Sequence, residues 1–346
     1  MIIERDSFIN ALTKVKPGLA NKEVIEQSTN FILHENRVFT YNDDIMVSHP
    51  LELDIEAAVP AKELYSLISK QKVDEIEVIL KDSELLITGG RTKAGIKVSE
   101  ELTILPLIKE VSIPEAFFTL PKNFAEAVRF CIFSTSKDMS KPALTCIHVK
   151  EDIVESCDNY RLTQYKLSKP IKKEFIIPYQ PARYIGNMKV KSYTISKNWL
   201  HFKAEDDTVI SCRTYVDKYP NISSMTKVTG KEIQFPKGII ETLDRVQIFS
   251  ESEFVQDELI KITLKKDKMI VRGEGDTGWI NETLKVKYDG SDLSFWVSPR
   301  LIRDILVLLN KTIYGTNNKL KFTGDSFCHI VCLAEEEKKE KEEDTE

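Results

Sequence analysis

Amphipathic stripes recur along this sequence at similar intervals. In three segments, apolar residues lie three or four positions apart, a spacing that puts them on one face of a helix. Their positions are Phe8, Leu12 and Val15 after Arg5; Phe124, Val128 and Cys131 after Pro121; and Ile239, Ile240, Leu243 and Val246 after Pro236. Such stripes usually pack on a sheet, so they predict three helices that build core and carry no chemistry.

A second kind of segment also occurs three times, where an apolar strand leads into a helix at a proline. The prolines are Pro60, Pro178 and Pro299. Proline suits the first helical turn because its missing N–H breaks no helical hydrogen bond there. Each helix is followed by apolar alternation that is interrupted at residues 81–83, 197–198 and 317–318, which is typical of hairpins.

Together these segments indicate an internal repeat of about 115 residues. We predict an α+β protein of three similar domains, each with the order helix, strands, helix, strands. The predicted domains are residues 1–113, 114–226 and 227–334. The charged, non-aromatic run at residues 335–346 predicts a disordered acidic tail.

Composition excludes several classes of protein. No apolar run approaches the ~18 residues that a membrane span needs, and the N-terminus lacks signal-peptide order, so we expect a cytoplasmic protein.

Six cysteines without a CxxC pair argue against a zinc site or a disulfide framework. On a strand, Cys328 and Cys332 share one face while His329 points to the other. We therefore predict a buried, reduced strand there.

The net charge of −5 is unusual for a nucleic-acid binder. In the helical segments, however, basic residues outnumber acidic ones more than two to one. We expect the following residues on the helix faces that look away from the sheets, and to face DNA: Lys14, Lys16, Lys70, Lys72, Arg129, Arg183, Lys189, Lys191 and Arg303. The same segments also contain Lys62, Lys122, Lys237, Arg245 and Arg300.

A run of charge on one helix is usually a solvated face, but six related helices share this bias. A surface of this kind attracts phosphates without sequence preference. No helix carries the Asn, Gln and Arg residues that would read base edges. The pattern favours double-stranded DNA that is held loosely.

Several motifs occur in a characteristic order. Ser156-Cys157-Asp158-Asn159-Tyr160-Arg161-Leu162 follows Pro142-Ala143-Leu144, and Phe118-Thr119-Leu120-Pro121 opens the second predicted domain. Tyr219-Pro220-Asn221 closes that domain, and Gly278-Trp279 to Glu282 precedes Tyr288-Asp289-Gly290. In order, spacing and threefold repetition, the chain resembles the beta subunit of bacterial DNA polymerase III, the replicative sliding clamp, from about Ile2 to Leu333.

The resemblance implies a head-to-tail homodimer that forms a ring, with helices lining the hole and antiparallel sheets outside. Such a ring encircles duplex DNA and tethers a polymerase without being an enzyme and without a cofactor. By similarity, Ile96 and Val98 of one copy should meet Ile248 and Phe249 of the other.

The resemblance also implies a peptide-binding pocket for the DNA polymerase and the clamp loader. Its residues would be Leu144, Cys157, Asn159, Tyr160, Arg161, Leu162, Pro220, Met225, Phe254, Ser298, Leu301 and Phe327. Tyr160 stands where the family has histidine, and Ser298 and Leu301 stand where it usually has Asn and Tyr. The family's Met-Pro-Met-Arg-like end is replaced by the acidic run. We therefore expect an unusual peptide preference, with the tail tuning access to the pocket.

Two alternatives stay open at this point. A nuclease would need carboxylates that converge on metal ions. Here acidic residues mostly alternate along strands, as at Glu75 and Glu77, and the chain has no GxxxxGK[ST], HExxH or GxSxG motif. A clamp-like DNA-binding protein that does not encircle DNA would instead be monomeric, or would bind linear and circular DNA alike.

Overall fold

The computed structural model describes residues 1–215, 218–255, 257–308 and 311–334. The tail predicted at residues 335–346 lies outside the described residues. Within these ranges the chain forms 24 strands and seven α-helices, joined by short 3-10 turns.

One order of elements occurs three times: a strand, a helix, four strands, a helix and three strands. The first repeat comprises β1 (Ile2–Glu4), α1 (Arg5–Val15), β2 (Asn30–His34), β3 (Arg37–Tyr41), β4 (Ile45–Pro50), β5 (Ala57–Pro60), α2 (Ala61–Lys70), β6 (Glu75–Lys81), β7 (Glu84–Gly89) and β8 (Thr92–Lys97). A short helix follows it, α3 (Leu105–Glu110).

The second repeat has the same order. It comprises β9 (Phe118–Thr119), α4 (Phe124–Cys131), β10 (Cys146–Lys150), β11 (Ile153–Cys157), β12 (Arg161–Lys166), β13 (Phe175–Pro178), α5 (Tyr179–Ile185), β14 (Val190–Ser196), β15 (Trp199–Ala204) and β16 (Val209–Arg213). The third comprises β17 (Gly230–Ile233), α6 (Ile239–Ser250), β18 (Ile260–Lys265), β19 (Lys268–Gly275), β20 (Gly278–Lys285), β21 (Leu293–Val297), α7 (Pro299–Leu306), β22 (Lys311–Gly315), β23 (Lys319–Thr323) and β24 (Phe327–Cys332). The predicted α+β class and threefold repetition are confirmed.

Strand pairing follows one rule in every repeat, and the pairs are antiparallel. In the first repeat the strands are ordered β1-β6-β7-β8 and β5-β2-β3-β4, and the third repeat contains the equivalent run β20-β19-β18-β21. Strands of successive repeats also pair: β4 pairs with β16, where Ile45 lies opposite Cys212, and β12 pairs with β24, where Arg161 lies opposite Val331. In each case the fourth strand of one repeat meets the eighth strand of the next.

By contact density the chain forms two compact units. The first contains residues 1–132, 146–152 and 168–217, and the second contains residues 133–145, 153–167 and 218–346. The middle repeat contributes to both units, so the predicted domain boundaries after residues 113 and 226 stay predictions.

In the first unit, the helix faces that the sequence predicts to be apolar are buried in the core. Phe8, Leu12 and Val15 of α1 are fully buried. Aromatic rings fill the second-repeat part of this unit, where Phe175 lies 4.9 Å from Tyr193 between ring centroids. Phe124 and Phe202 stack beside this pair, with centroids 5.8 Å apart. The helices therefore bury the faces that the spacing of their apolar residues predicts.

In the second unit the same principle holds for α6 and α7. Leu243 and Val246 of α6 are fully buried, as is Ile302 of α7. The prediction for β24 was partly wrong. His329 is buried on it, but Cys328 is only partly covered and Cys332 is exposed, because Cys332 ends the strand at the edge of the packed core.

The predicted hairpins are also present. Leu80 pairs with Leu85 across the first one, and Lys81 pairs with Glu84. Asp82 and Ser83 between them both have positive φ angles, of 52° and 57°. Positive φ at both central residues defines a type I′ turn, whose twist matches that of the flanking strands.

Candidate functional site

The basic residues predicted to face DNA occur in two settings. Five are on α-helices: Lys14, Lys70, Arg129, Arg183 and Arg303. Lys16 lies on a 3-10 turn, Lys72 and Lys189 lie in loops, and Lys191 lies on β14. The assignment of Lys72 and Lys189 to helix faces was wrong, because α2 ends at Lys70 and α5 ends at Ile185. Eight of the nine are exposed, and Lys14 is partly covered.

Three of these cations already have a carboxylate partner. Lys14 Nζ lies 2.5 Å from Asp206, Lys191 Nζ lies 3.9 Å from Glu205, and Arg303 Nε lies 2.7 Å from Asp244. Burial opposes ionisation of Asp206, but hydrogen bonds from Lys14 and Thr208 hold the pKa of its carboxyl well below its usual range. These pairs neutralise part of the positive charge of the nine residues.

The helices of the first repeat are held together by Arg5. Its guanidinium donates to the carbonyl oxygens of Ile68 at 3.2 Å and Ser69 at 2.9 Å, near the end of α2. The carbonyls of a last helical turn lack intrahelical donors, so a cation there satisfies them and complements the helix dipole. The hydroxyls of Thr13 on α1 and Tyr65 on α2 lie 3.3 Å apart.

All twelve residues predicted for the peptide pocket belong to the second unit. They divide into buried, intermediate and exposed positions. The buried positions are Cys157, Leu162, Ser298, Leu301 and Phe327, and the intermediate positions are Leu144, Tyr160 and Arg161. The exposed positions are Asn159, Pro220, Met225 and Phe254, of which Met225 is 49% and Phe254 56% exposed. Exposed large apolar side chains such as these two are available to a binding partner.

The loop between β11 and β12 is shaped by Asp158. Its Oδ1 accepts hydrogen bonds from the backbone N–H groups of Tyr160 and Arg161, both at 2.8 Å. Its Oδ2 accepts from Nε of Arg161 at 3.2 Å. An aspartate that bonds the backbone two residues ahead makes an Asx turn, and this turn fixes how Asn159 and Tyr160 are presented.

Tyr219 contacts one of the buried residues predicted for the peptide pocket, Cys157. Its hydroxyl accepts a hydrogen bond from the backbone N–H of Cys157 at 2.9 Å. Burial raises the pKa of both the Tyr219 hydroxyl and the Cys157 thiol, so both stay protonated at neutral pH. In the sequence, Tyr219 is notable only as part of the Tyr-Pro-Asn motif. The structure shows that its hydroxyl has this specific contact with Cys157.

A buried chain of hydroxyls and imidazole crosses the adjacent strands. Ser134 Oγ lies 2.7 Å from Thr163 Oγ1, which lies 2.8 Å from His329 Nδ1. Burial and the nearby Arg161 charge lower the pKa of His329 to about 3, so the ring is neutral. The network joins β12 and β24 where Thr163 lies opposite His329.

The start of α7 carries a feature that sequence reasoning missed. The Glu258 carboxylate is fully buried and contacts Arg300 Nε, while Arg300 Nη2 donates to the carbonyl of Ser252 at 3.1 Å. Burial raises the pKa of Glu258, and the Arg300 charge opposes that effect. Ser252 and Glu258 flank Phe254, so this ion pair fixes the segment that presents Phe254. No local spacing links Glu258 to Arg300, so the pair has no sequence signal.

The residues predicted for a dimer interface lie at accessible edges. Ile96 on β8 and Val98 just after it are partly exposed, and Ile248 on α6 is 65% exposed. Phe249 is half-buried. Its ring lies against the β19–β20 turn, where a Cβ at Gly278 would be 3.3 Å from it.

The described ranges lack two further features. No group of three or more His, Cys, Asp or Glu side chains there could hold a metal ion. None of the described helices is both long and apolar enough to span a membrane.

No protein-family model matches the sequence, and no curated protein matches it either. Solved structures of similar fold nevertheless cover nearly the whole chain. The DNA polymerase III beta chain from Streptococcus pneumoniae superposes with a TM-score of 0.82 at 17% identity, covering 96% of this chain and 99% of that one. The chain has the fold of DNA polymerase III beta subunits.

Two other clamp structures agree with that assignment. The beta subunit from Thermotoga maritima gives a TM-score of 0.80 at 16% identity, covering 96% of this chain and 98% of its own. A Pseudomonas aeruginosa sliding clamp bound to griselimycin gives 0.81 at 13% identity, covering 97% and 99%. The clamp fold therefore extends over all three repeats.

Proposed function

We propose that this chain is a DNA sliding clamp, a non-catalytic processivity factor that encircles duplex DNA as a head-to-tail homodimer and tethers a polymerase. The likeness to solved clamps over nearly the whole chain supports this function. The observation that carries the proposal furthest is the pattern of strand pairing between repeats.

Inside the chain, fourth and eighth strands of successive repeats pair, as β4 with β16 and β12 with β24. In the described ranges, β8 and β20 are the remaining members of this scheme, and each lies at the edge of its sheet. The same rule would pair β20 of one copy with β8 of another. Two such joints close a dimer and leave no open joint.

Burial along these strands supports the same pairing. Each of the four internally paired strands buries at least three residues, whereas β8 and β20 bury none. Along β20, Ile280 and Leu284 are only half-covered, as Ile96 is on β8. An exposed edge with half-covered apolar side chains is a template for another strand. A second copy of the chain would cover both edges.

The nine basic residues would supply the DNA-facing lining. Six of them have no carboxylate within ion-pair distance in the described ranges: Lys16, Lys70, Lys72, Arg129, Arg183 and Lys189. Enclosure keeps the protein on DNA, so this lining needs only weak, sequence-independent contacts with phosphates. The pocket on the second unit would receive short linear peptides from the polymerase and the clamp loader.

The first experiment is native mass by light scattering across a dilution series, followed by retention on DNA. We expect a dimer that stays on nicked circular DNA after loading and is lost when the circle is linearised. A monomer at all working concentrations, or equal retention on circular and linear DNA, would refute encirclement. The second result would favour a clamp-like protein that binds DNA without enclosing it.

A further inference from the structure

A cavity of about 530 Å³ lies in the first unit, beside the start of α2. We refer to it as the α2 cavity. It is partly open to solvent and is lined by the turn after α1, the start of β2 and the first two turns of α2. Its lining residues are Lys16, Leu19, Ala20, Asn21, Thr29, Asn30, Phe31, Pro60, Ala61, Lys62, Glu63, Tyr65 and Ser66. Its volume is within the range of small-molecule sites, which is roughly 300–1,000 Å³.

One wall of the α2 cavity is apolar and partly accessible. Leu19, Pro60 and Tyr65 are half-covered, and Phe31 is fully buried. Aromatic and aliphatic surfaces of this kind bind flat rings by stacking, and each nucleic-acid base has a face for such contact. The wall therefore has the character of a base-binding surface.

Polar side chains also line the α2 cavity. Asn30 pairs through its backbone with Pro60, which fixes its position on β2. Its side-chain amide is half-buried and forms no hydrogen bond with the described part of the chain. An amide offers both a donor and an acceptor, the combination that pairs with the edge of a base. Thr29 and Ser66 add hydroxyls that suit a sugar.

Cations complete the lining. Lys16 Nζ lies 4.0 Å from the centroid of the Tyr65 ring, a cation–π contact that holds the ammonium at the cavity. Lys62 is exposed, and within the described ranges neither lysine has a carboxylate at ion-pair distance. Glu63 is the one acidic residue in the lining, so the net charge there is positive.

We propose that the α2 cavity binds a nucleoside phosphate, with the base against Leu19 and Pro60 and the phosphate at Lys16 and Lys62. This site goes beyond sliding on duplex DNA, whose paired bases cannot enter a cavity. The ligand has two possible sources: a free mononucleotide, or an unpaired nucleotide at a strand end. The combination of a flat apolar wall, amides and two cations favours this chemistry over an acidic peptide, for which an aromatic wall of this kind is unnecessary.

The test is equilibrium binding to the full-length protein at low salt. The probes are 5′-dAMP, deoxyadenosine, inorganic phosphate and an acidic hexapeptide. We expect 5′-dAMP to bind more tightly than either of its halves. The double variant Lys16→Ala/Lys62→Ala should bind it at least about tenfold more weakly, because two charge-assisted contacts are lost. Lys70→Ala is the matched control, since Lys70 is an exposed lysine at the opposite end of the same helix.

Several results would overturn the proposal. These are the absence of 5′-dAMP binding, tighter binding of the peptide than of 5′-dAMP, or an equal loss in Lys70→Ala, which would indicate general charge attraction. A Tyr65→Ala variant that binds 5′-dAMP as well as the original chain would also contradict the role of Tyr65 in holding Lys16 at the cavity.

The source is then identified with two DNA duplexes, one blunt and one with a 5′-phosphorylated single-stranded overhang. A larger loss of affinity for the overhang duplex than for the blunt duplex in the double variant identifies a strand end as the source. Equal losses for both duplexes, with 5′-dAMP binding lost, identify the free nucleotide. Native mass and retention on circular DNA are measured separately, so failure of this site is distinguishable from failure of the clamp proposal.

Discussion

Replacing Ile248 with serine should weaken dimerisation while leaving the fold of each subunit intact. Ile248 lies on the outer side of α6 and is 65% exposed in the single chain. A side chain that is already exposed contributes little to folding. In the proposed dimer it would be covered by β8 of the other copy, so its apolar surface would count only in association.

The magnitude follows from that exposure. Full burial of an isoleucine side chain stabilises by about 1.5–3 kcal/mol, so covering the exposed 65% contributes about 1–2 kcal/mol at each joint. A head-to-tail ring contains two joints, which gives about 2–4 kcal/mol per dimer. Each 1.4 kcal/mol is a factor of ten. The dissociation constant of the dimer should therefore rise by about 30-fold to 1,000-fold.

Sedimentation equilibrium over a range of concentrations measures this change, and thermal unfolding checks the fold. Val307→Ser is the matched control, because Val307 at the end of α7 is 68% exposed and lies outside the proposed joint. A dissociation constant that is unchanged in Ile248→Ser, or that rises equally in Val307→Ser, would refute the assigned interface.

Four further predictions concern other parts of the molecule. Replacing Lys70, Lys72, Lys189 and Lys191 with alanine should impair loading onto circular DNA or sliding along it without lowering the melting temperature; undiminished processivity would contradict the proposed lining. Tyr219→Phe should lower the free energy of unfolding in urea by about 1–3 kcal/mol, because the buried N–H of Cys157 loses its acceptor, while Tyr215→Phe at a partly exposed position should have little effect. His329, with its pKa lowered to about 3, is neutral in the folded protein but binds a proton in the unfolded chain below pH 6.5. Stability should therefore fall as the pH drops from about 6.5 toward 3, by up to about 1.4 kcal/mol per pH unit from this residue, and unfolding titrations of His329→Phe should lack that component. Deleting residues 335–346 should raise the affinity for an acidic partner peptide at low salt, and an unchanged affinity would remove the proposed role of the tail.

Much of the fold was predictable because each repeat has local sequence patterns that indicate its helices and hairpins. The apolar spacing in α1, α4 and α6 identifies each helix and its buried face, and the turn residues identify the hairpins. These signals act over a few residues, so they are visible without tertiary structure. Helix ends were less accurate. Lys72 and Lys189 were placed on helices that end two and four residues earlier, since nothing in the local pattern marks those ends sharply.

The candidate sites depend more on long-range contacts. The motif at residues 156–162 indicated the loop, and the Asp158 turn within it has a local spacing that could have been recognised. The pair of Glu258 and Arg300 joins segments 42 residues apart, and the α2 cavity joins three separate segments. Neither leaves a local pattern, because folding alone brings these residues together.

Ion pairing of the basic residues changes how the lining should act on DNA. The sequence alone predicts nine free cations. In the structure, Lys14, Lys191 and Arg303 form ion pairs with Asp206, Glu205 and Asp244, respectively. Each phosphate contact that a protein forms steepens the fall of its DNA affinity with salt. A lining with fewer free cations binds more weakly and releases each phosphate more readily, which suits a ring that moves along DNA. Removing a carboxylate, as in Asp206→Asn, should therefore tighten DNA binding at low salt and slow diffusion along it. Faster diffusion in that variant would show that the partners of these cations do not moderate the contact.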